Sequence, residues 1–176
     1  MRSLQSSGSS LEQAARFVYL NKTCFNGLYR VNQKGVFNVP MGDYANPPIC
    51  EPDKIRDASL RLQNADIIHC DYRKALTDAK RGDFVFLDPP YHPIKPESFT
   101  SYTKWSFKAD DQKMLRDLVD NLTVRGVSVL VTNSDTNLIW DLYSKYQIHT
   151  ARVKRMISSN ADTREMGVNE LIITNY

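Results

Sequence analysis

Asp83-Phe84-Val85-Phe86-Leu87 followed by Asp88-Pro89-Pro90-Tyr91 is the stretch that most narrows what this chain can become. The first five residues form an apolar run of strand length. The two prolines must end it, because neither ring nitrogen can donate to a sheet ladder. The strand therefore gives way to a rigid turn bearing a carboxylate, an acceptor carbonyl and an aromatic ring. Open α/β sheets place their ligands in loops beyond the carboxyl ends of strands, which makes this turn a candidate site. A plain strand-terminating turn with a buried tyrosine accounts for the same four residues.

The chemistry suited to such a turn is the handling of an exocyclic amine on a nucleobase. That nitrogen is a poor nucleophile because its lone pair is delocalised into the ring. If the Asp88 carboxylate and the Pro89 carbonyl each accept one N–H, the lone pair is directed toward an incoming electrophile. Tyr91 offers a face on which the base can stack. Pro89 and Pro90 hold the arrangement at little entropic cost and add no competing donor.

Upstream, Ala65 to His69 reads as a short strand ending at Cys70-Asp71-Tyr72, and Arg73 to Lys80 as a short helix. Together with the strand before Asp88 they predict a βαβ unit with parallel pairing, which would bring Asp71 and Asp88 to the same sheet edge. Downstream, Ala109 to Leu122 is patterned as an amphipathic helix with Met114, Leu115, Leu118 and Val119 on one face. Val127 to Thr132 reads as a buried strand, Thr136 to Tyr146 as a helix, and Ile148 to Val153 and Glu170 to Thr174 as extended segments. Between Asp88 and the long helix, His92 to Trp105 is either a lid or a packed surface loop.

At 176 residues, with 41% hydrophobic and 24% charged content, the chain has the composition of an ordinary globular domain. No run approaches the roughly 18 apolar residues of a membrane span, and no secretion signal opens the chain, so a cytoplasmic location is expected. Cys24, Cys50 and Cys70 are isolated, as are His69, His92 and His149, so neither a disulfide framework nor a metal site is expected. Residues 1–10 are serine-rich and read as a disordered leader. Leu11 to Leu20 has helical spacing with Ser10 available as N-cap, and Asp53 to Leu62 is a second amphipathic helix.

Between those helices, Leu28 to Val31 and Val36 to Val39 are short extended segments joined through Asn32 and Gly35, the pattern of a β-hairpin. From Arg16 through Gly42 the chain carries four basic residues, Arg16, Lys22, Arg30 and Lys34, and no acidic one, although its net charge is only +3. The interleaved Phe25, Asn26, Tyr29, Arg30 and Asn32 are residue types that stack, wedge or reach base edges in nucleic-acid grooves. A hairpin contributing to a core is the alternative.

Taken together, Tyr19-Leu20-Asn21, Phe25-Asn26-Gly27-Leu28-Tyr29-Arg30, Phe37-Asn38-Val39-Pro40, Phe86-Leu87-Asp88-Pro89-Pro90-Tyr91, Phe99-Thr100-Ser101-Tyr102 and Ile157-Ser158-Ser159-Asn160 resemble, in order, the blocks of the Dam-type DNA adenine-N6 methyltransferases. The resemblance runs from Ala14 to Tyr176. It implies an α/β fold with a partial Rossmann-like class I methyltransferase sheet and an inserted β-hairpin DNA-targeting region. By it, residues 11–64 form a target-recognition region and 65–176 a catalytic domain. It also implies methyl transfer from S-adenosylmethionine to N6 of an adenine flipped out of double-stranded DNA. Asp88 and the Pro89 carbonyl would bind the amino group, Tyr91 would stack on the ring, and Asp71 and Tyr72, with Asp88, would face the cofactor. Phe25, Asn26, Leu28, Arg30 and Pro40 would contact DNA, and no metal is implied.

Two departures qualify the resemblance. The family's lysine-containing opening segment and its Phe-x-Gly-x-Gly cofactor loop are not found, and the seven glycines contain no Gly-x-Gly pair anywhere. In the family's sheet the strands concerned are central, so apolar edges would be exposed without them. The expectation is a truncated or split methyltransferase that requires a complementing N-terminal polypeptide. In addition, Asp43 stands where relatives commonly carry a basic residue, which leaves the target sequence open. A non-catalytic DNA-binding fragment, and an amino-methylase acting on another substrate, are the competing readings.

Overall fold

The computed structural model describes residues 9–32, 34–94, 107–153 and 167–176. They divide into two compact units, one running to His69 and the other starting at Cys70.

In the first unit, helix α1 (Ser10–Thr23) begins one residue earlier than its periodicity predicts. Ser9 is the N-cap: its hydroxyl accepts from the Glu12 N–H at 3.4 Å, while the Glu12 carboxylate accepts from the Ser9 N–H at 2.7 Å. Leu20, Thr23 and Cys24 from the end of this helix are buried, as is Val39. The rings of Phe17, Tyr29 and Phe37 stack in a row with centroids 4.9 and 5.2 Å apart. Helix α2 (Pro52–Leu62) has Pro52 in its first turn, where the missing N–H costs nothing. Lys22 of α1 is bridged to Glu51, just before α2, at 2.8 Å.

The predicted hairpin folds back on itself without forming strands. One isolated antiparallel bridge joins Val31 to Phe37, and another joins Cys24 to Met41. The Asn32 side chain shapes the reversal, its Oδ1 accepting from the Lys34 and Val36 N–H groups at 2.9 and 3.0 Å, beside main-chain bonds from the Asn32 N–H to the Val36 carbonyl at 2.9 Å and from the Asn38 N–H to the Arg30 carbonyl at 3.1 Å. Ala65 to His69 is likewise not a strand. Ile67 and Ile68 are 76% and 71% exposed, and the segment has no ladder partner among the described residues. A lone extended segment gains no cross-strand hydrogen bonds or side-chain pairs, so alternating character alone does not make it a strand.

The second unit holds a mixed four-stranded sheet in the order β1-β2-β4-β3, an α/β arrangement consistent with a methyltransferase fold. Strand β1 (Phe84–Leu87) pairs in parallel with β2 (Ser128–Ser134), and β4 (Val168–Thr174) pairs antiparallel with both β2 and β3 (Gln147–Val153). The predicted βαβ unit is thus displaced along the chain: the parallel neighbour of β1 is β2. Register aligns one buried row across the sheet, Val85 with Val129, Val131 with Ile173 and Asn133 with Leu171. Each buried valine, leucine or isoleucine in that row contributes about 1.5–3 kcal/mol.

Among the described residues, three helices accompany the sheet. Helix α3 is a single turn (Tyr72–Ala75), much shorter than the predicted 73–80, and α5 (Asn137–Leu142) is shorter than the predicted 136–146. Helix α4 (Ala109–Val124) matches its prediction in extent, but its buried stripe is Gln112, Leu115, Val119 and Leu122, and Met114 is 43% exposed. Val119 and Leu122 join Val85, Val127, Val129, Val131, Ile139, Tyr143, Leu171 and Ile173 in the core. Gly126, at φ +76°, ends α4 and turns the chain directly into β2: its N–H donates to the Thr123 carbonyl and the Val127 N–H donates to the Leu122 carbonyl, both at 3.0 Å. Most of the predicted lid at 92–105, the Phe99–Tyr102 and Ile157–Asn160 blocks, and residues 1–8 of the predicted leader lie outside the described residues, while its last two, Ser9 and Ser10, cap and open α1. Among the described residues no helix is long and apolar enough to cross a membrane, and no cluster of three or more His, Cys, Asp or Glu residues has metal-site geometry.

Candidate active site

The parallel pairing of Leu87 with Val131 sets Asp88 beside Thr132 at the carboxyl end of the sheet. There the Thr132 hydroxyl donates to Asp88 Oδ1 at 2.7 Å. Asp88 is solvent-exposed, and among the described residues its Oδ2 and the Pro89 carbonyl make no hydrogen bond. Two acceptors on adjacent residues thus lack partners among the described residues, with the other carboxylate oxygen already anchored.

Tyr91 comes next and is partly buried. Its hydroxyl donates to Glu170 Oε2 at 3.2 Å, which ties the ring to β4. Burial pushes its phenol above the ordinary value, and the charges of Glu170 and Asp88 add to that effect. The imidazole of His92 is pushed down by burial. Its Nδ1 lies 3.1 Å from the Thr136 hydroxyl.

Beneath the turn, its main chain is tied to two elements. Gln112 of α4 donates through Nε2 to the Pro90 carbonyl at 2.9 Å, and the His92 N–H donates to Asn133 Oδ1 of β2 at 2.9 Å. Asn133 Nδ2 in turn donates to Gln112 Oε1 at 3.1 Å. The Ser134 hydroxyl donates to the His92 carbonyl. Gln112, Asn133 and Ser134 are all fully buried.

The structure brings Asp88, Pro89 and Tyr91 together with partners that sequence reasoning missed: Thr132, Glu170, Gln112 and Asn133. Thr132-Asn133-Ser134 carried a signal, since three consecutive polar residues at the carboxyl end of an otherwise apolar strand point to a function there. Glu170, entering an apolar strand, carried a weaker one. Gln112 carried none beyond its helical spacing from Leu115 and Val119.

Asp71 and Tyr72 are placed differently. Asp71 caps α3 by accepting from the Arg73 N–H at 2.9 Å. Its two oxygens also receive the Arg73 guanidinium as a fork, Nε to Oδ1 and a terminal nitrogen to Oδ2, each at 2.9 Å. These bonds hold its carboxyl down at about 2. Among the described residues no hydrogen bond links Asp71 or Tyr72 to the Asp88 turn. The family's chemistry implies a methyl donor such as S-adenosylmethionine. Both oxygens of the carboxylate expected to face the cofactor's adenine are taken up by Arg73, so a hydrogen-bond donor group of the cofactor would have to displace or share the guanidinium.

In the other unit, the expected DNA-contacting residues cluster around one turn. Phe25 opens a 3-10 turn, is 44% exposed, and donates its N–H to the Pro40 carbonyl at 3.0 Å. Asn26 adopts a left-handed conformation at φ 54°. The Asn21 side chain pins the turn through the Gly27 carbonyl at 2.6 Å, and the Cys24 thiol donates to the Leu28 carbonyl at 3.1 Å. Arg30 donates through Nε to Asn38 Oδ1 at 3.0 Å. Asp43 is exposed.

Comparison with known proteins bears on this geometry. Residues 4–157 match the family model described as D12 class N6 adenine-specific DNA methyltransferase. The chain is 42% identical to the Type II methyltransferase M.MjaIII of Methanocaldococcus jannaschii, covering 94% of this chain and 58% of that protein. It is also 42% identical to the Type II methyltransferase M1.LlaDCHI of Lactococcus lactis subsp. cremoris, covering 96% and 60%. Against the DNA adenine methylase of Escherichia coli K12 it is 37% identical, covering 91% and 57%. The chain thus spans about three fifths of the length of the curated relatives it matches. With the model matched across most of its length and the Asp88 turn built as described, the chain belongs to the D12 class of N6 adenine-specific DNA methyltransferases.

Proposed function

We propose that this chain carries the adenine-binding transfer site of a DNA methyltransferase that methylates N6 of an adenine extruded from duplex DNA, with S-adenosylmethionine as donor. The observation that carries the reading is the anchored Asp88: Thr132 holds Oδ1 at 2.7 Å while, among the described residues, Oδ2 and the adjacent Pro89 carbonyl have no hydrogen-bond partner. Adenine's amino group has two N–H donors, and this pair matches them one for one. The donor supplies an activated methyl on a sulfonium. The protein's part is to fix the nitrogen and localise its lone pair, which is positioning rather than strong base catalysis. Tyr91, held at its hydroxyl by Glu170, offers its ring face to the extruded base. Phe25, Asn26, Leu28, Arg30 and Pro40 serve the duplex, with the exposed Phe25 as a wedge and Arg30 as a cation for backbone or base.

A second reading, a DNA-binding fragment without transfer activity, is favoured by the closure of Asp71 onto Arg73. Calorimetric titration of S-adenosylmethionine, with and without an adenine-containing duplex, joined to a methyl-transfer assay, separates the two. The first reading expects donor binding and transfer that Asp88→Ala abolishes without loss of duplex binding. Duplex binding with no donor binding, alone or with a complementing polypeptide, would leave only the second.

A further inference from the structure

We propose that Gln112 and Asn133 are positioning residues that form a buried amide relay, fixing Tyr91 by holding the main-chain groups on either side of it. The proposal rests on the transfer-site reading above and adds residues to it. Its basis is a directed chain of three hydrogen bonds. The His92 N–H donates to Asn133 Oδ1 (2.9 Å), Asn133 Nδ2 to Gln112 Oε1 (3.1 Å), and Gln112 Nε2 to the Pro90 carbonyl (2.9 Å). A main-chain N–H can only donate and a proline carbonyl can only accept, so the two ends of the relay dictate the orientation of both amides. The Ser134 N–H also donates to Asn133 Oδ1 at 2.9 Å, which locks that side chain further.

Neither amide is needed to fill the core. Both are fully buried where α4 and β2 would otherwise present apolar side chains, and a buried polar group is tolerated only when it is satisfied. Their partners lie one residue before and one residue after Tyr91, whose own side chain points to Glu170. The relay therefore couples the helix and the strand to the one segment that must hold an aromatic ring in register with the Asp88 acceptors. A displacement of about 1 Å in such a group is enough to cost a large factor in rate.

The test uses Gln112→Glu. A protonated carboxyl has one donor and one acceptor and reproduces the glutamine pattern, whereas an ionised one only accepts and would face the Pro90 carbonyl with a negative charge. Burial raises the pKa of such a group, so the variant should be competent at low pH and fail as pH rises. The titratable groups on the elements around Gln112 are Asp88, Tyr91 and His92 on the turn, Lys108 at the start of α4 with Asp110, Asp111, Lys113, Arg116, Asp117 and Asp120 along it, Asp135 after β2, Asp141 on α5, and Glu170 on β4. All are shared with the unaltered protein, whose pH profile is the baseline.

Relative to that baseline, kcat of Gln112→Glu should be near normal at pH 6 and lower by about tenfold or more at pH 8.5, with KM for the duplex changed less than about twofold. Hydrogen exchange of the His92 amide, normalised to the unaltered protein at each pH, should accelerate over the same range. Gln112→Met, which can neither donate to Pro90 nor accept strongly from Asn133, should be slow at every pH. A Gln112→Glu profile parallel to the baseline, a folded Gln112→Met with normal kcat, or global unfolding at pH 8.5 in place of a rate loss in folded protein would each overturn the proposal. If the unaltered chain transfers no methyl group to any duplex, alone or with a complementing polypeptide, the transfer-site reading fails, and His92 exchange alone decides whether the relay holds the turn.

Discussion

The Thr132 hydroxyl is the group whose loss should be felt most directly by Asp88. Thr132→Val keeps the shape and removes the donor to Oδ1. A hydrogen bond to a charged group on an exposed site is worth about 1–1.5 kcal/mol, so kcat should fall roughly tenfold while duplex affinity holds; single-turnover kinetics read this directly. His92 predicts a pH effect on stability. Its folded-state pKa lies below the ordinary 6.5 because burial penalises the imidazolium. The unfolded chain therefore binds the proton more readily, so stability is fully present above about pH 6.5 and declines as pH falls below it. Urea midpoints at pH 5.5 and 7.5 should differ, and His92→Gln should narrow the gap. At Asp71 the expectation is spectroscopic: in Arg73→Gln the carboxyl, held at about 2 in the unaltered protein, should rise toward the usual carboxylate range by carbon NMR but stay below it, because the residue-73 N–H still donates to it.

At the scale of the element, side-chain period and tertiary pairing contributed unequally. Helices α1, α2 and α4 and strands β1, β2, β3 and β4 were readable from their apolar spacing or apolar runs, and β1 also from Pro89, which stops it. The acceptors of the turn were readable for the same local reason. Ala65 to His69 failed the test because strandhood depends on a neighbour, which no local pattern reports. The 28–39 segment reverses through Asn32 and Gly35 as its turn residues indicate, but pairs through an isolated bridge without forming strands. Gln112 was invisible because a buried amide looks like a surface residue until its partners are known, and Thr132 and Glu170 acquire meaning only when β2 and β4 lie beside the turn. Packing within the sheet gives a further expectation: Ile173, fully buried opposite Val131, should cost about 2–5 kcal/mol when changed to alanine and about 0.5–1.5 kcal/mol when changed to valine, by denaturant unfolding.

At the scale of the whole molecule, the two units are unequal in what they bury. The first offers Leu20, Thr23, Cys24 and Val39, and the second a continuous apolar row across sheet and helices. Native-state hydrogen exchange should accordingly show the amides of Val129, Val131, Leu171 and Ile173 opening only with global unfolding, and those of the 24–41 turn region opening earlier. The sheet order adds a consequence for how the protein is made. Strand β4 lies between β2 and β3, and both of those pair with it. During synthesis at about 5–20 residues per second, a nascent chain that has emerged through Val153 has neither closed that gap nor received Glu170, the partner of Tyr91. Strand β4 is then the keystone of this sheet, and a chain stalled before it would display an unfilled slot beside β2 and leave the Tyr91 hydroxyl without its carboxylate partner.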